Sequence, residues 1–311
     1  MITSVNPRMI TWARERSGFS VEDLASKVKR KPAEVMMWEK GRAFPTYGTL
    51  EALAYRHLKI PLALFFFPEP PDVDDPVGKF RKLPDFELDR FSADTRIKIR
   101  LAQGYQESLD ELLPAKFRTP LLAGFRATAS SLPSMAPEVR KSIGVSLEQQ
   151  FSFHRVDDAL KAWRHALEQV GVFTFKDSFH DRFISGFCLL SPKCPVIMLN
   201  NSNSLTRQIF TIAHELGHIL LNIHGVTDIN ESYLDFMSTA DYRAETACNA
   251  FAANLLVPVS AFQREIRGLS AHNDTVISDL ASHFSVSREV ILRRCLDEGL
   301  IETEYYASKV A

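Results

Sequence analysis

The chain lacks most of the features that would place it outside the class of ordinary folded proteins. Only four cysteines occur in 311 residues, Cys188, Cys194, Cys248 and Cys295. None forms a CxxC pair, which argues against a disulfide framework or a zinc ribbon and for reduced thiols in a cytoplasmic protein. No apolar run approaches the ~20 residues of a membrane helix. The longest, Ile60 to Phe67, is interrupted by Pro61. The first residues have no apolar signal core, so neither export nor a membrane contact is expected. There is no internal repeat and no low-complexity tract. Net charge is −1, which excludes a polyelectrolyte binder, and 45% hydrophobic content with 24% charged residues suits a folded chain of two or more units.

What charge there is lies unevenly. Residues 1–68 hold 11 Lys/Arg against 6 Asp/Glu, a net +5, and the remainder nets −6. A basic segment on an acidic body suggests a nucleic-acid contact at one end. The plainer alternative is a solvated face that touches nothing.

Residues 7–67 carry the punctuation of short helices. Gly18 ends a helix begun near Arg8. Ser20 caps a second, with Glu22 and Asp23 in its first turn. Pro32 opens a third that Gly41 ends, and Pro45-Thr46 open a fourth. Ala13, Leu24, Ala25, Val28, Val35 and Trp38 form the apolar set of a helix-turn-helix bundle. Ser20-Val-Glu-Asp-Leu-Ala-Ser, Trp38-Glu39-Lys40-Gly41, Pro45-Thr46 and Leu50-Glu-Ala-Leu-Ala together resemble the XRE-type (Cro/repressor-like) helix-turn-helix. One departure stands out. The early residues of the third helix, which should meet base edges, are Pro32, Ala33, Glu34, Met36 and Met37. Lys27, Lys29, Arg30, Lys31 and Arg42 could hold DNA phosphates, which position without specifying. The alternative is a module kept for homodimer formation or partner binding.

Residues 69–118 read as a proline- and acid-rich connector, a strip Phe80-Arg81-Lys82-Leu83-Pro84, and a long helix capped by Ser92 or Asp94. Residues 118–150 read as loop-rich. A helix near Val156 to Val170 then precedes short strands at Val172–Phe175, Ile184–Leu190 and Val196–Asn200.

The sharpest feature is His214-Glu215-Leu216-Gly217-His218, an HExxH motif in an apolar helix expected over 204–222. Histidines four apart share a helix face, so both can bind one zinc ion, with Glu215 between them as general base for peptide hydrolysis. The alternative is a buried, hydrogen-bonded histidine pair. Zinc needs a third protein ligand. Glu245 is the candidate, on a slender alanine-rich helix expected over 241–257, capped by Asp241 and stopped by Pro258. It shares its face with Cys248, Asn249 and Ala252. Its alternative is a surface glutamate.

Ser185-Gly186-Phe187, Pro195-Val-Ile-Met-Leu-Asn200, Arg207 through His218, and Glu245 through Ala252 resemble, in this order, the ImmA/IrrE family of zinc metallopeptidases. Pro61 to Pro71 and Phe80 to Pro84 are similar to members that carry an XRE domain. Cys248 stands where that family usually has alanine. The resemblance implies zinc ligands His214, His218 and Glu245 and a base at Glu215. It also implies a mainly helical α+β protein. In that architecture a helix-turn-helix domain over 1–68 precedes a zincin-like peptidase domain over 119–265 with a small sheet. A helix-turn-helix-like segment over 266–311, capped at Ser287 and carrying Arg288, Arg293 and Arg294, belongs by this resemblance to the peptidase body; the alternative is a second DNA reader. The strand Val196, Ile197, Met198, Leu199 and Asn200 is expected as an edge onto which an extended substrate adds. His224, Tyr242 and His272 are candidates for stabilising the oxyanion. The implied partner is a repressor or antitoxin, in stress response, mobile-element or toxin-antitoxin control. The competing function is a DNA-binding transcriptional regulator, or toxin-antitoxin component, in which zinc is structural or vestigial.

Overall fold

The computed structural model describes residues 5–72, 92–179, 181, 183–223, 226–228 and 239–310. The protein is α+β and mainly helical, and it divides into two compact units, Met1–Leu101 and Ala102–Ala311. The strip Phe80–Pro84, most of the connector around it, and His224 lie outside the described residues.

The first unit contains four short helices, α1 (Pro7–Arg16), α2 (Val21–Lys27), α3 (Pro32–Glu39) and α4 (Tyr47–Glu51), the last continued by a π-helical stretch, Ala52–Leu58. Local chemistry sets their starts. The Asn6 side chain accepts from Arg8 N, Ser20 and Asp23 form a capping box, and Thr46 accepts from Thr49 N. Met9, Ile10, Leu24, Val35, Trp38, Leu50, Leu53, Leu58 and Phe65 fill the core, joined by Ile97 from the start of α5 (Ala93–Leu112). Val28 is only partly buried. Arg14 ties α1 to α3 through Glu39 at 2.6 Å and also donates to the Phe19 carbonyl.

The boundary between the units falls inside α5, whose second half belongs to the second unit. There Gln106 donates to the carbonyls of Leu189 and Cys194, and Lys193 pairs with Asp110 at 3.2 Å.

The stretch expected to be loop-rich is helical for much of its length, with α6 (Pro120–Gly124), α7 (Ala136–Ile143) and α8 (Leu147–Phe151). These helices are five to eight residues long, too short to show a strong period, and tertiary packing decides them. Arg140 is the clearest case. It is buried, donates to Leu255 O and Gln150 Oε1 at 2.6 Å each, and lies over the Trp163 ring of α9 (Val156–Gln169). Gln150 in turn donates to the carbonyls of Leu256 and Phe284.

Four strands follow the order β1-β3-β2-β4, with β1 Phe173–Asp177, β2 Ile184–Leu189, β3 Val196–Asn200 and β4 Val226–Asp228. β1 runs parallel to β3, and β2 runs antiparallel to both β3 and β4. The expected edge strand is therefore wrongly placed. β3 is paired on both sides and buried along its whole length, so its backbone groups have no free side to offer a substrate. Its unbroken run Val-Ile-Met-Leu is the pattern of an interior strand rather than a half-exposed edge. Asn200 works as a clamp, donating to the carbonyls of Asp181 and Ile184.

The helix α10 (Leu205–Leu221) lies on this sheet, with Ser204 as its N-cap. A methyl group on Gly186 would stand 2.7 Å from both Met198 O and Thr211 Cγ2, so only glycine allows that approach. Helix α11 (Thr239–Leu256) packs along α10 through the buried Ala244, Ala247, Cys248 and Ala252. It starts before Asp241, which sits in its first turn rather than at its cap. Beyond it come α12 (Val259–Glu265), α13 (Asp274–Phe284), α14 (Arg288–Asp297) and α15 (Thr303–Val310). Phe284, Ile291, Leu292 and Cys295 enter the same core as α10 and α11. Arg294 is buried against the Val257 carbonyl and Asn254, while Arg288 pairs with Asp274 and Arg293 with Asp297.

Candidate metal centre

Helix α10 presents His214 and His218 four residues apart on the side that faces α11, and α11 presents Glu245 to them. The three side chains are buried, at 1%, 2% and 4% exposure. Their donor atoms converge. His214 Nε2 and His218 Nε2 stand 3.0 Å apart. Glu245 Oε2 is 3.2 Å from the first and Oε1 is 3.1 Å from the second. Among the described residues this is the group of His, Cys, Asp and Glu side chains arranged to hold a metal ion.

The fit to a metal can be tested on these distances. Donors bound tetrahedrally at ~2.0–2.1 Å from one zinc ion stand about 3.3 Å from each other. The separations of 3.0, 3.1 and 3.2 Å, the last two to different oxygens of Glu245, are close to that spacing. The tautomer also fits. Asn249 Oδ1 lies 2.8 Å from His214 Nδ1 and can only accept, so Nδ1 carries the proton and Nε2 keeps its lone pair for a metal.

The electrostatics show the same demand for a cation. Burial would raise the Glu245 carboxyl, but the two imidazoles outweigh it and hold it far below the ordinary range. Burial would lower His218, but Cys248 and Glu245 outweigh it and raise its pKa. Burial pushes the Cys248 thiol up.

Glu215 lies one residue beyond His214 and three before His218, fully buried on the same helix. The sequence therefore places Glu215 and both histidines on one element, and the fold adds Glu245 from another. Asn249 is the functional side chain that sequence reasoning passed over as a mere neighbour. Its signal was present, because it lies four residues after Glu245 and so on the same helix face.

The other expected residues do not join this group. Tyr242 is 45% exposed. His272 packs against Tyr305, whose hydroxyl donates to the His272 carbonyl. In the first unit, Lys29, Arg30 and Lys31 are exposed in the turn between α2 and α3, and Arg42 is exposed after α3. Lys27 is turned toward Asp94 at 3.7 Å and the Phe19 ring.

Residues 167–296 match the family model of the IrrE N-terminal-like domain, peptidase M78. The matched segment contains the whole sheet, HExxH and Glu245. It supports a metallopeptidase-type activity for this part of the chain, with a buried His-His-Glu cluster compatible with a metal. No curated protein matches the chain. Among the described residues, no helix is long and apolar enough to cross a membrane.

Proposed function

We propose that this protein is a zinc-dependent cytoplasmic endopeptidase of the HExxH type, built as a zincin-like domain carrying an XRE-type helix-turn-helix unit. The observation that supports this most is the convergence of His214, His218 and Glu245 within 3.0–3.2 Å beside a buried Glu215. Three protein ligands leave one position for solvent, as catalysis requires, whereas a structural zinc would be closed by a fourth.

A zinc ion bound there supplies Lewis acidity, which acidifies water and polarises a carbonyl. The chain's own residues do the rest. His214 is held in its ligating tautomer by Asn249. A Glu215 carboxylate oxygen takes a proton from the attacking water and delivers it to the leaving amine. The buried setting keeps bulk water from competing. An extended substrate needs a free strand edge. With β3 interior, β4 is the better candidate, since it is the outermost described strand on the side that packs against α10.

The substrate in this reading is a repressor or antitoxin-like protein. Lys29, Arg30, Lys31 and Arg42 hold DNA phosphates on either side of α3 and so locate the enzyme near its target. The test is to express the wild type and Glu215→Gln beside the products of neighbouring genes. Zinc-dependent loss of one product with the wild type alone is expected; loss that persists with the Gln variant removes the catalytic assignment. For DNA, Lys29→Glu with Lys31→Glu should weaken salt-sensitive binding across sequences and flatten its salt slope. Unchanged binding removes that assignment.

A further inference from the structure

The two histidines of the cluster are supported differently. His214 Nδ1 has the Asn249 amide oxygen at 2.8 Å. His218 Nδ1 is buried and has no aligned hydrogen-bond partner, although the residue is only 2% exposed. A buried imidazole nitrogen without a partner is costly, and a ligating histidine ordinarily gives its second N–H to an acceptor. The side chain of α11 beside this part of α10 is Cys248, whose thiol packs against the backbone at Gly217, the residue before His218. Cys248 lies three residues after Glu245 on the same helix and is wholly buried. It reaches this position because residue 217 is glycine. A methyl group there would stand 3.0 Å from Cys248 Sγ and 3.3 Å from its Cα.

We propose that Cys248 is a positioning residue for the metal centre, its sulfur accepting the Nδ1–H of His218 and so keeping Nε2 turned to the metal with its lone pair free. This inference rests on the metal-binding reading above. Cys248 and Asn249 then form a matched pair, adjacent on α11, each holding one histidine of α10. A thiol sulfur is a weak acceptor, so the contact orients the ring rather than adding much energy of its own. Cys248 is neither a ligand nor a nucleophile in this role. Its partner is an imidazole.

The experiment is zinc titration of the full chain against a competing chelator, for the wild type, Cys248→Ala, Cys248→Ser and Asn249→Ala. The melting temperature of each metal-free protein is measured alongside. Cys248→Ala should bind zinc 10–100-fold more weakly, an order of magnitude typical for loss of such a supporting group. Cys248→Ser, with a stronger acceptor of similar size, should stay within about threefold of the wild type. Asn249→Ala should show a loss similar to Cys248→Ala. In zinc-loaded wild type, the ¹⁵N shifts of His218 should report a protonated Nδ1. A Cys248→Ala protein that melts lower without metal yet binds zinc like the wild type would overturn the proposal, since that is a packing effect alone. So would a Ser variant as impaired as the Ala variant. A wild type that binds no zinc would overturn the metal reading itself, which is a different result from equal binding by all four proteins.

Discussion

The two units treat charge in opposite ways. Among the described residues of Met1–Leu101 no charged side chain is fully buried, and the partly buried pair Arg14 with Glu39 is satisfied locally between α1 and α3. In Ala102–Ala311 the interior contains two histidines, two glutamates and two arginines that are all at most 7% exposed. Burying such groups is expensive unless each is paired. Arg140 and Arg294 recover that cost by clamping carbonyls at the end of α11. His214, His218 and Glu245 meet one another across α10 and α11. With Glu215 they are the groups to which the proposed cation and reaction are assigned. The contrast separates polar burial that stabilises a fold from polar burial that supports chemistry.

The largest expected effect tests that separation directly. Glu215→Gln should lower peptidase activity by about 10²–10⁴-fold, with zinc content and melting unchanged. A parallel loss of stability would make Glu215 a structural group like Arg140. Next, zinc at about a thousand times its dissociation constant should stabilise Ala102–Ala311 by ~4 kcal/mol, an increment that chelation removes while the melting of Met1–Leu101 stays unchanged. Calorimetry with and without chelator measures it. An equal shift in both transitions would mean that the units unfold as one.

Two packing changes come below this. Gly186→Ala should cost about 1–3 kcal/mol in denaturant unfolding, because the added methyl meets Met198 O and Thr211 Cγ2 at 2.7 Å with backbone on one side. Glu39→Ala should cost about 2 kcal/mol in the first unit, leaving Arg14 half-buried and short of its partner. Burial pushes the Cys295 thiol up to about 11, so at pH 8 about one thiol in a thousand is ionised. Its alkylation should therefore follow unfolding of the second unit; fast labelling of the native protein would contradict that.

The smallest effect is a pH dependence in the first unit. Hydrogen bonds from Ser20 hold the Asp23 carboxyl below its ordinary range. An unfolded chain then binds this proton more readily than the folded one, so the contribution is present above pH ~4 and fades as pH falls through the folded value. Asp23→Asn should remove that acid sensitivity in a pH series of melts, with a small loss of stability at neutral pH and little change below the folded value.

These predictions divide much as legibility in the sequence does. Helix starts at Ser20, Thr46, Ser204 and Ser287 were readable because a cap is a contact between residues three apart. So was the pairing of His214 with His218 on one face of α10. The short helices of 120–151 were not, because nothing in five to eight residues outweighs chain entropy until Arg140 and Gln150 find carbonyls more than a hundred positions away. The interior position of β3 was half legible. Its continuous apolar run implied burial on both faces, yet strand order depends on partners that a local pattern does not name.

The sequence by itself determined the residue types of the metal centre, since a helix of any origin brings positions four apart together. It also pointed to the helix that carries Glu245, the candidate third ligand. Only the tertiary structure decided that Glu245 closes to within 3.2 Å of both imidazoles, that Asn249 reaches the His214 ring, and that α10 lies on the sheet at Gly186. Those contacts join segments 25 to 35 positions apart, where close packing rather than local periodicity sets the distance.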